Sequence, residues 1–394
     1  MNRREFVSSG SIAALGFGLS GCASNPKPSV TPTPKKPKRS MLRLVPVKVA
    51  WDRIIRTTVG LRPHRDAGFV LKPDKLDDKL LIHNYGHGGA GMSLAWGTGL
   101  MAAEFATEHQ ARRAAVIGCG SVGLTCARQL QRRGFDVTIY AAAVPPNVTS
   151  NMSLAGFTPS SGLVVTEQRT AAWDEQYRRA YDISYRQLQL MCGNPITGVS
   201  WLDNYSLTDR DPDTPRPPSE PDARAPLPDG ADTEREVFGP GEHPFDTKYA
   251  IRSPQIRIEP NIYLDAIMRD VVLFGGRIVV KKFDTPRDLA ALTEPIVINC
   301  TGLGARDLFG DQELIPLKGQ LTVLIPQEDV NYHTNGGLHT PPVPGQLGIH
   351  TMSRRDGIAL GGTSQRGVWT LEPDEAERKR VVESHMAVFG AMKT

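Results

Sequence analysis

Along the chain, apolar positions fall into short runs broken by polar or glycine-rich turns, and each run predicts an element. Val59–Leu61, Gly68–Leu71 and Leu80–His83 read as brief strands, and Met92–Ala106 reads as a helix despite Gly97 and Gly99, which weaken it. Ala114–Gly118 is an apolar strand entering a glycine turn, Gly123–Arg133 a helix with small residues on one side, and Phe135–Tyr140 a second strand. That β-turn-α-β order builds a doubly wound parallel sheet. Thr170–Met191 carries Trp173, Tyr177, Tyr181 and Leu188 at helical spacing, the ordinary signature of a face packed into a core. Further on come a strand at Tyr249–Arg252, a helix at Asn261–Phe274 and strands at Arg277–Lys282, Ile296–Cys300, Leu321–Leu324 and Ile358–Gly361. An amphipathic helix, Glu372–Phe389, follows them. Residues 207–246 hold nine prolines in forty positions, which excludes helix and sheet interior and predicts an exposed insertion. No internal repeat is present.

Composition adds bounds. A length of 394 residues predicts one large or two intimately joined domains, and 40% hydrophobic with 22% charged residues is ordinary for a globular protein. The net charge of +4 is misplaced as a clue to partners: residues 1–40 hold seven Lys/Arg and one Glu, so they carry +6 and the rest −2. A nucleic-acid partner would call for a basic face on the body. In MNRREFVSSGSIAALGFGLSGC, Arg3 and Arg4 precede Phe6 and an apolar run too short to span a bilayer, which fits a twin-arginine export signal. Leu19-Ser20-Gly21-Cys22 resembles a bacterial lipobox, and the proline- and lysine-rich stretch to residue 40 reads as a stiff tether. These features predict a protein exported already folded and held on the periplasmic or cell-surface side by a lipid on Cys22, with no other membrane contact. Cys119, Cys126, Cys192 and Cys300 match neither a zinc site nor a disulfide framework and are expected to be small buried thiols.

The chemistry concentrates in two glycine-rich stretches. Gly118-Cys119-Gly120-Ser121-Val122-Gly123 follows a strand and opens a helix, as a dinucleotide fingerprint requires. The first glycine permits the turn, the second lets backbone approach a pyrophosphate, and the third lets helix and strand pack closely. Amides at the helix start, including those of Ser121 and Val122, then face the phosphates. The acid expected about 20 residues on, which holds a ribose hydroxyl, is absent; the second strand ends Ile139-Tyr140-Ala141-Ala142-Ala143. That weakens an NAD reading in particular, and FAD stays open if other segments hold the flavin half. The other stretch is Leu81-Ile82-His83-Asn84-Tyr85-Gly86-His87-Gly88-Gly89-Ala90-Gly91, continued to Trp96-Gly97.

With this second stretch the chain resembles the D-amino-acid oxidase family of FAD-dependent oxidoreductases; only Gly99 departs clearly, standing where the family signature has Ala. Gly60-Leu61-Arg62-Pro63-His64-Arg65 is similar to the family's substrate-arginine segment. Val297–Gly302 and Lys318-Gly319-Gln320 are similar to the strand and turn beside the cofactor, and Gly361-Gly362-Thr363-Ser364-Gln365 to the strand end near the substrate. The resemblance covers most of residues 41–394. It implies an FAD domain interleaved with an antiparallel-sheet substrate domain. It also implies hydride transfer from an amino acid's α-carbon, with oxygen reoxidising the flavin to hydrogen peroxide and no general base needed. Arg62 would clamp the substrate carboxylate, Arg65 would be structural, and Gly88, Gly89, Ala90, Gly91, Met92 and Ser93 would meet the flavin ring. Thr149, Ser150, Ala155, Gly156 and Gly302 are also assigned to the cofactor, and Gly89, His350 and Gln346 join Arg62 around the substrate.

Order and pocket depart from the family. There the fingerprint opens the chain and the arginine and HNYGHGG segments close it, whereas here both closing segments come first. A circular permutation accounts for this: the former ends would be joined by the Met92–Ala106 helix and a link at Glu108–Arg113, with residues 41–107 corresponding to the family's carboxyl-terminal part and 108–160 to its dinucleotide-binding unit. The two glycine stretches, His83–Gly91 and Gly118–Gly123, should then face one site. Gln346 and His350 stand where the family commonly has two tyrosines, unless Tyr332 takes part. Ser364 replaces the arginine usual in D-aspartate oxidases, and Arg366 does not match it. Neutral and acidic D-amino acids both remain open, as do an amine dehydrogenase feeding a membrane acceptor and a non-catalytic binding lipoprotein.

Overall fold

The computed structural model describes residues 40–214, 234–338 and 348–393. The expected signal and tether, residues 1–39, lie outside them, as do Gln346 and the middle of the proline-rich stretch. Residues 41–394 make one compact unit built on two sheets that the chain visits in turn. Strand β1 (Ile54–His64) enters the larger sheet, then β2 (Val70–Leu76) and β3 (Lys79–Tyr85) the smaller. Helix α1 (Gly91–Thr107) leads into β4 (Arg113–Ile117), α2 (Ser121–Gln131) and β5 (Asp136–Ala141), still in the smaller sheet. After α3 (Ala171–Met191), β6 (Val199–Thr208), β7 (Glu236–Phe238) and β8 (Tyr249–Ile258) return to the larger sheet. Next, α4 (Pro260–Leu273), β9 (Arg277–Val280), α5 (Pro286–Ala290), β10 (Ile296–Asn299) and α6 (Gly304–Phe309) complete the smaller one. The larger sheet then closes with β11 (Ile315–Leu324), β12 (Tyr332–Gly336), β13 (His350–Arg354), β14 (Gly357–Gly361) and β15 (Gln365–Arg366), before the last helix, α7 (Glu375–Gly390).

The smaller sheet runs β2-β3-β10-β4-β5-β9, parallel throughout except for the β2–β3 pair, so the doubly wound expectation holds. From β4 the chain winds outward to β5 and β9, then β10 falls on β4's other side. That reversal makes a crevice at the carboxyl ends of β4 and β10, where open α/β sheets bind ligands. Because β3 also runs parallel to β10, its carboxyl end opens on the same crevice. Helices α1 to α4 cover one face, and Trp173, Tyr177, Tyr181 and Leu188 are buried in that core, as their spacing predicts. The larger sheet, β1-β11-β14-β13-β12-β6-β8-β7, is antiparallel apart from β12–β6, and α7 seals the face that carries Tyr205, Leu207 and Tyr332.

Several boundaries need correction. β6, β12 and β13 carried no expected element, because their sequences are half polar. The Lys318-Gly319-Gln320 segment lies inside β11 rather than at a turn. The proline-rich stretch is not wholly exposed: β6 extends to Thr208, β7 pairs along the sheet edge, and Phe238 and Phe245 are buried against the α7 core. An edge strand tolerates neighbouring prolines because one side needs no ladder partner. The two ends of the body meet there: the Leu42 amide donates to the Glu242 carbonyl (2.8 Å) and the Lys393 amide to the Pro244 carbonyl (2.9 Å).

Candidate active site

One cavity of about 1170 Å³ runs between the sheets, larger than the roughly 300–1,000 Å³ typical of small-molecule sites. Its wall at the smaller sheet is backbone-rich. Gly118 has φ +115°, and a Cβ there would sit 2.4 Å from the Cys300 carbonyl oxygen; one on Gly123 would sit 2.0 Å from that of Gly118. The first and third fingerprint glycines therefore serve turn and helix–strand contact, and Gly123 itself does not line the cavity. The second, Gly120, faces open space with only Ser150 Oγ near, so a phosphate can approach backbone at the α2 start. Ser150 fixes that corner by accepting from the Ser121 amide (3.0 Å). Ser121, Val122, Thr149, Ala155, Gly156 and Gly302 line the cavity as expected. Ala155 does so at φ +100°, an uncommon conformation for a residue with a side chain.

The other glycine stretch lines the same cavity from Tyr85 through Met92, with Gly88, Gly89 and Gly91 at its surface and α1 starting there. Ala90 and Ser93 lie behind it: Ala90 is fully buried, and Ser93 Oγ accepts from the Thr158 amide (2.8 Å). His83 does not reach the cavity, which corrects the expected start of that stretch. Its ring turns away beside Asp74 and accepts from Asn299 Nδ2 (3.1 Å). The turn is clasped from outside, since the Gly89 amide donates to the Ser161 carbonyl and a Cβ on Gly88 would lie 1.8 Å from the Gly162 oxygen. Two helix amino termini, of α1 and α2, thus open on one space and favour negative charge there. Burial pushes His87 down to about 3, so this turn carries no histidine charge of its own.

On the larger sheet, register places Arg62, Gly319, Gly361, His350, Asn335 and Ser206 near one line across five strand boundaries. The two glycines make room. Arg62's guanidinium lies over Gly319 (a Cβ there would be 3.4 Å from Cζ), and the His350 ring lies over Gly361. Arg62 donates from Nε to the Leu317 carbonyl (3.1 Å) and from Nη2 to the Thr363 carbonyl (3.3 Å) and Ser364 Oγ (3.0 Å). Among the described residues it has no carboxylate partner. Burial lowers its pKa to about 10, so it stays cationic at neutral pH. Arg65, by contrast, pairs with Asp311 and Glu313, as its structural reading requires. His350 is pushed down to about 3 by burial, helped by His333, His385 and Arg62, and is a neutral wall.

Tyr332 takes no part: it is buried on the opposite face and donates to the Val45 carbonyl (2.7 Å). Arg366 is engaged outside the cavity with Asp66. Asn204, Ser206, Ser253, Gln255, His333 and Asn335 line the floor and were not anticipated. Alternation such as Asn204-Tyr205-Ser206-Leu207, with polar residues toward the site and apolar ones toward the core, was the available signal.

A glycine-backed phosphate corner, a second helix start and a guanidinium without a carboxylate partner among the described residues, all in one cavity, fit a dinucleotide bearing a planar ring beside a carboxylate-containing substrate. Comparison with known sequences agrees. Residues 28–105 and 113–393 match the family described as FAD dependent oxidoreductase, DAO. A D-amino-acid oxidase from Rubrobacter xylanophilus is 26% identical over 273 residues, covering 68% of this chain and 75% of that protein. A D-amino acid oxidase from Dugesia ryukyuensis is 26% identical over 291 residues, covering 71% and 78%. The solved glycine oxidase from Bacillus cereus aligns with TM-score 0.48 and 12% identity over 72% of this chain and 81% of its own. The chain belongs to the DAO family of FAD-dependent oxidoreductases.

Proposed function

We propose that this protein oxidises D-amino acids to imino acids. The observation that carries the reading is Arg62, a half-buried cation with no carboxylate partner among the described residues, in the same cavity as both glycine stretches. Its Nη1, which makes no other hydrogen bond among the described residues, can donate to the substrate's α-carboxylate in a charge-assisted bond. Thr363, which holds Arg62 through its carbonyl, is itself locked by its hydroxyl: Oγ1 accepts from the Gln320 amide (2.6 Å) and donates to the Gln320 carbonyl (3.1 Å). The clamp is therefore rigid before substrate arrives, and positioning is the contribution these residues make to the rate. Bound FAD would supply the acceptor for a hydride from the substrate's Cα, with oxygen carrying the two electrons on to hydrogen peroxide and water releasing the 2-oxo acid and ammonia. The helix starts at Gly91 and Ser121 would stabilise the negative charge of the cofactor's phosphates and reduced ring. His350 is neutral and takes no proton.

An acceptor other than oxygen is the second reading, favoured by the surface tether expected before residue 41. Anaerobic mixing of the flavin-loaded protein with D- and L-amino acids, followed by admission of air, decides between them. Bleaching with peroxide in air supports the oxidase; bleaching without peroxide selects the dehydrogenase; no bleaching by any amino or imino acid removes both. We further infer that the chain order is a circular permutation. The family match breaks between residues 105 and 113, and the body's ends bond to carbonyls two residues apart. A gene reopened within 108–112 and joined from Lys393 to Met41 by a short linker should give a folded flavoprotein; an insoluble product that never binds flavin would count against the inference. Export and anchoring through Cys22 are proposed on the signal alone. Replacing Arg3 and Arg4 with Lys, or Cys22 with Ser, should retain the protein in the cytoplasm or release it from membranes respectively.

A further inference from the structure

The floor of the cavity beyond Arg62 has a chemistry of its own. Asn335 Nδ2 donates to Asn204 Oδ1 (3.0 Å) and Ser206 Oγ (3.1 Å), and Asn204 Nδ2 donates to Ser253 Oγ (3.2 Å). His333 Nδ1 bonds Gln255 Oε1, while His333 Nε2 is buried without a partner. His333 borders the cavity and is only 4% exposed, and Nε2 itself is sealed from that space. The amides and hydroxyls form a connected array with no ionic member.

Charge is confined elsewhere. Apart from Arg62, the charged residues along the cavity among the described ones are Lys281, Lys282, Asp284 and Asp307, and all four belong to segments of the smaller sheet and α6. Lys282 is paired with Asp284. Among the described residues the larger sheet thus offers one cation for the α-carboxylate and no counter-charge for a second ionised group.

We propose that the substrate side chain this floor selects is an uncharged hydrogen-bonding group, above all a carboxamide, in preference to an apolar or ionised group of the same shape. The inference rests on the amino-acid oxidation reading. A side-chain carboxylate would be buried beside neutral histidines, with Arg62 already engaged, and a side-chain ammonium would meet no carboxylate on the floor. Either leaves an unpaired buried charge, which costs more than the contact returns. An apolar side chain of equal size would cover the floor amides and hydroxyls without bonding to them. A carboxamide presents a donor and an acceptor together, so its N–H can donate to Asn335 Oδ1 while its oxygen accepts from the Ser206 or Ser253 hydroxyl.

Asparagine, aspartate and leucine have side chains of similar size and the same branching, and differ chiefly in these properties. The flavin-loaded protein is mixed anaerobically with each, in both enantiomers, and the second-order rate of bleaching is compared within the reactive enantiomer. Asparagine should exceed leucine and aspartate by at least about tenfold, the factor a lost hydrogen bond in a built polar site produces. Asn335→Leu, checked first for an unchanged flavin spectrum, should shift the asparagine-to-leucine ratio at least about tenfold toward leucine. Leucine or aspartate equal to asparagine in the wild-type protein overturns the inference while leaving amino-acid oxidation standing. Bleaching by none of the six, with bleaching by other amino acids, also overturns it; bleaching by no amino acid removes the parent reading as well.

Discussion

At the scale of single residues, Arg62 shows what a contiguous motif can reveal. Its neighbours Gly60, Leu61 and Pro63 travel with it in sequence, so its place in the cavity was legible, and the structure adds that Gly319 leaves space beneath the guanidinium. Asn335, His333 and Asn204 were not legible, because their partners come from other strands and no run of neighbours marks them. Replacing Arg62 with Ala should raise the apparent KM by about 10- to 100-fold, the worth of a charged hydrogen bond, with a smaller effect from Lys, which lacks the planar fork. With Arg62 lowered to about 10, substrate affinity should hold across neutral pH and fall as pH rises through that value, when the cation is lost. His350 near 3 and His333 near 4 give no acid limb between pH 5 and 8. A kcat/KM profile with a histidine limb there would contradict the neutral floor.

Among elements, the helices and parallel strands were readable because one side of each is uniformly apolar. β6, β12 and β13 were not, since their cavity-facing positions are Asn, Ser and His, and a half-polar strand looks like loop. Gly97 and Gly99, which weaken α1 as a sequence, explain how it packs. A Cβ on Gly97 would lie 2.1 Å from the Ala180 carbonyl of α3, and one on Gly99 would lie 3.1 Å from the Cys126 amide of α2. The departure from the family's alanine at Gly99 thus lets two helices approach by a few tenths of an ångström more. Ser184 reinforces the first contact by accepting from the Gly97 amide (2.8 Å). Gly97→Ala should therefore destabilise by about 1–3 kcal/mol through overpacking, read as a lower urea midpoint. Thr170, whose hydroxyl accepts from the Trp173 amide, caps α3, and Thr170→Ala should cost about 1 kcal/mol by the same measurement.

For the whole molecule, burial of uncharged histidines sets a pH dependence. His87, His333 and His385 are at most 4% exposed and are lowered to about 3, 4 and 4, while unfolded histidine titrates near 6.5. The unfolded chain therefore takes up protons that the fold refuses. Stability should be level above pH 7 and decline as pH falls from about 6.5 toward 4, by up to about 1.4 kcal/mol per pH unit for each histidine. A melting temperature that stays constant from pH 7 to 5 would refute this. The chain's order has a further consequence during synthesis. β3 emerges early, yet its parallel partner β10 is 216 residues later at the Asn299–His83 contact. At about 5–20 residues per second, the ribosome leaves Leu80–Ile82 without that neighbour for about 10–40 s. Moving the opening of the chain to the α1–β4 link would place β3 after β10 and remove that wait. The present order makes the nascent protein dependent on whatever shields an apolar strand edge while translation continues.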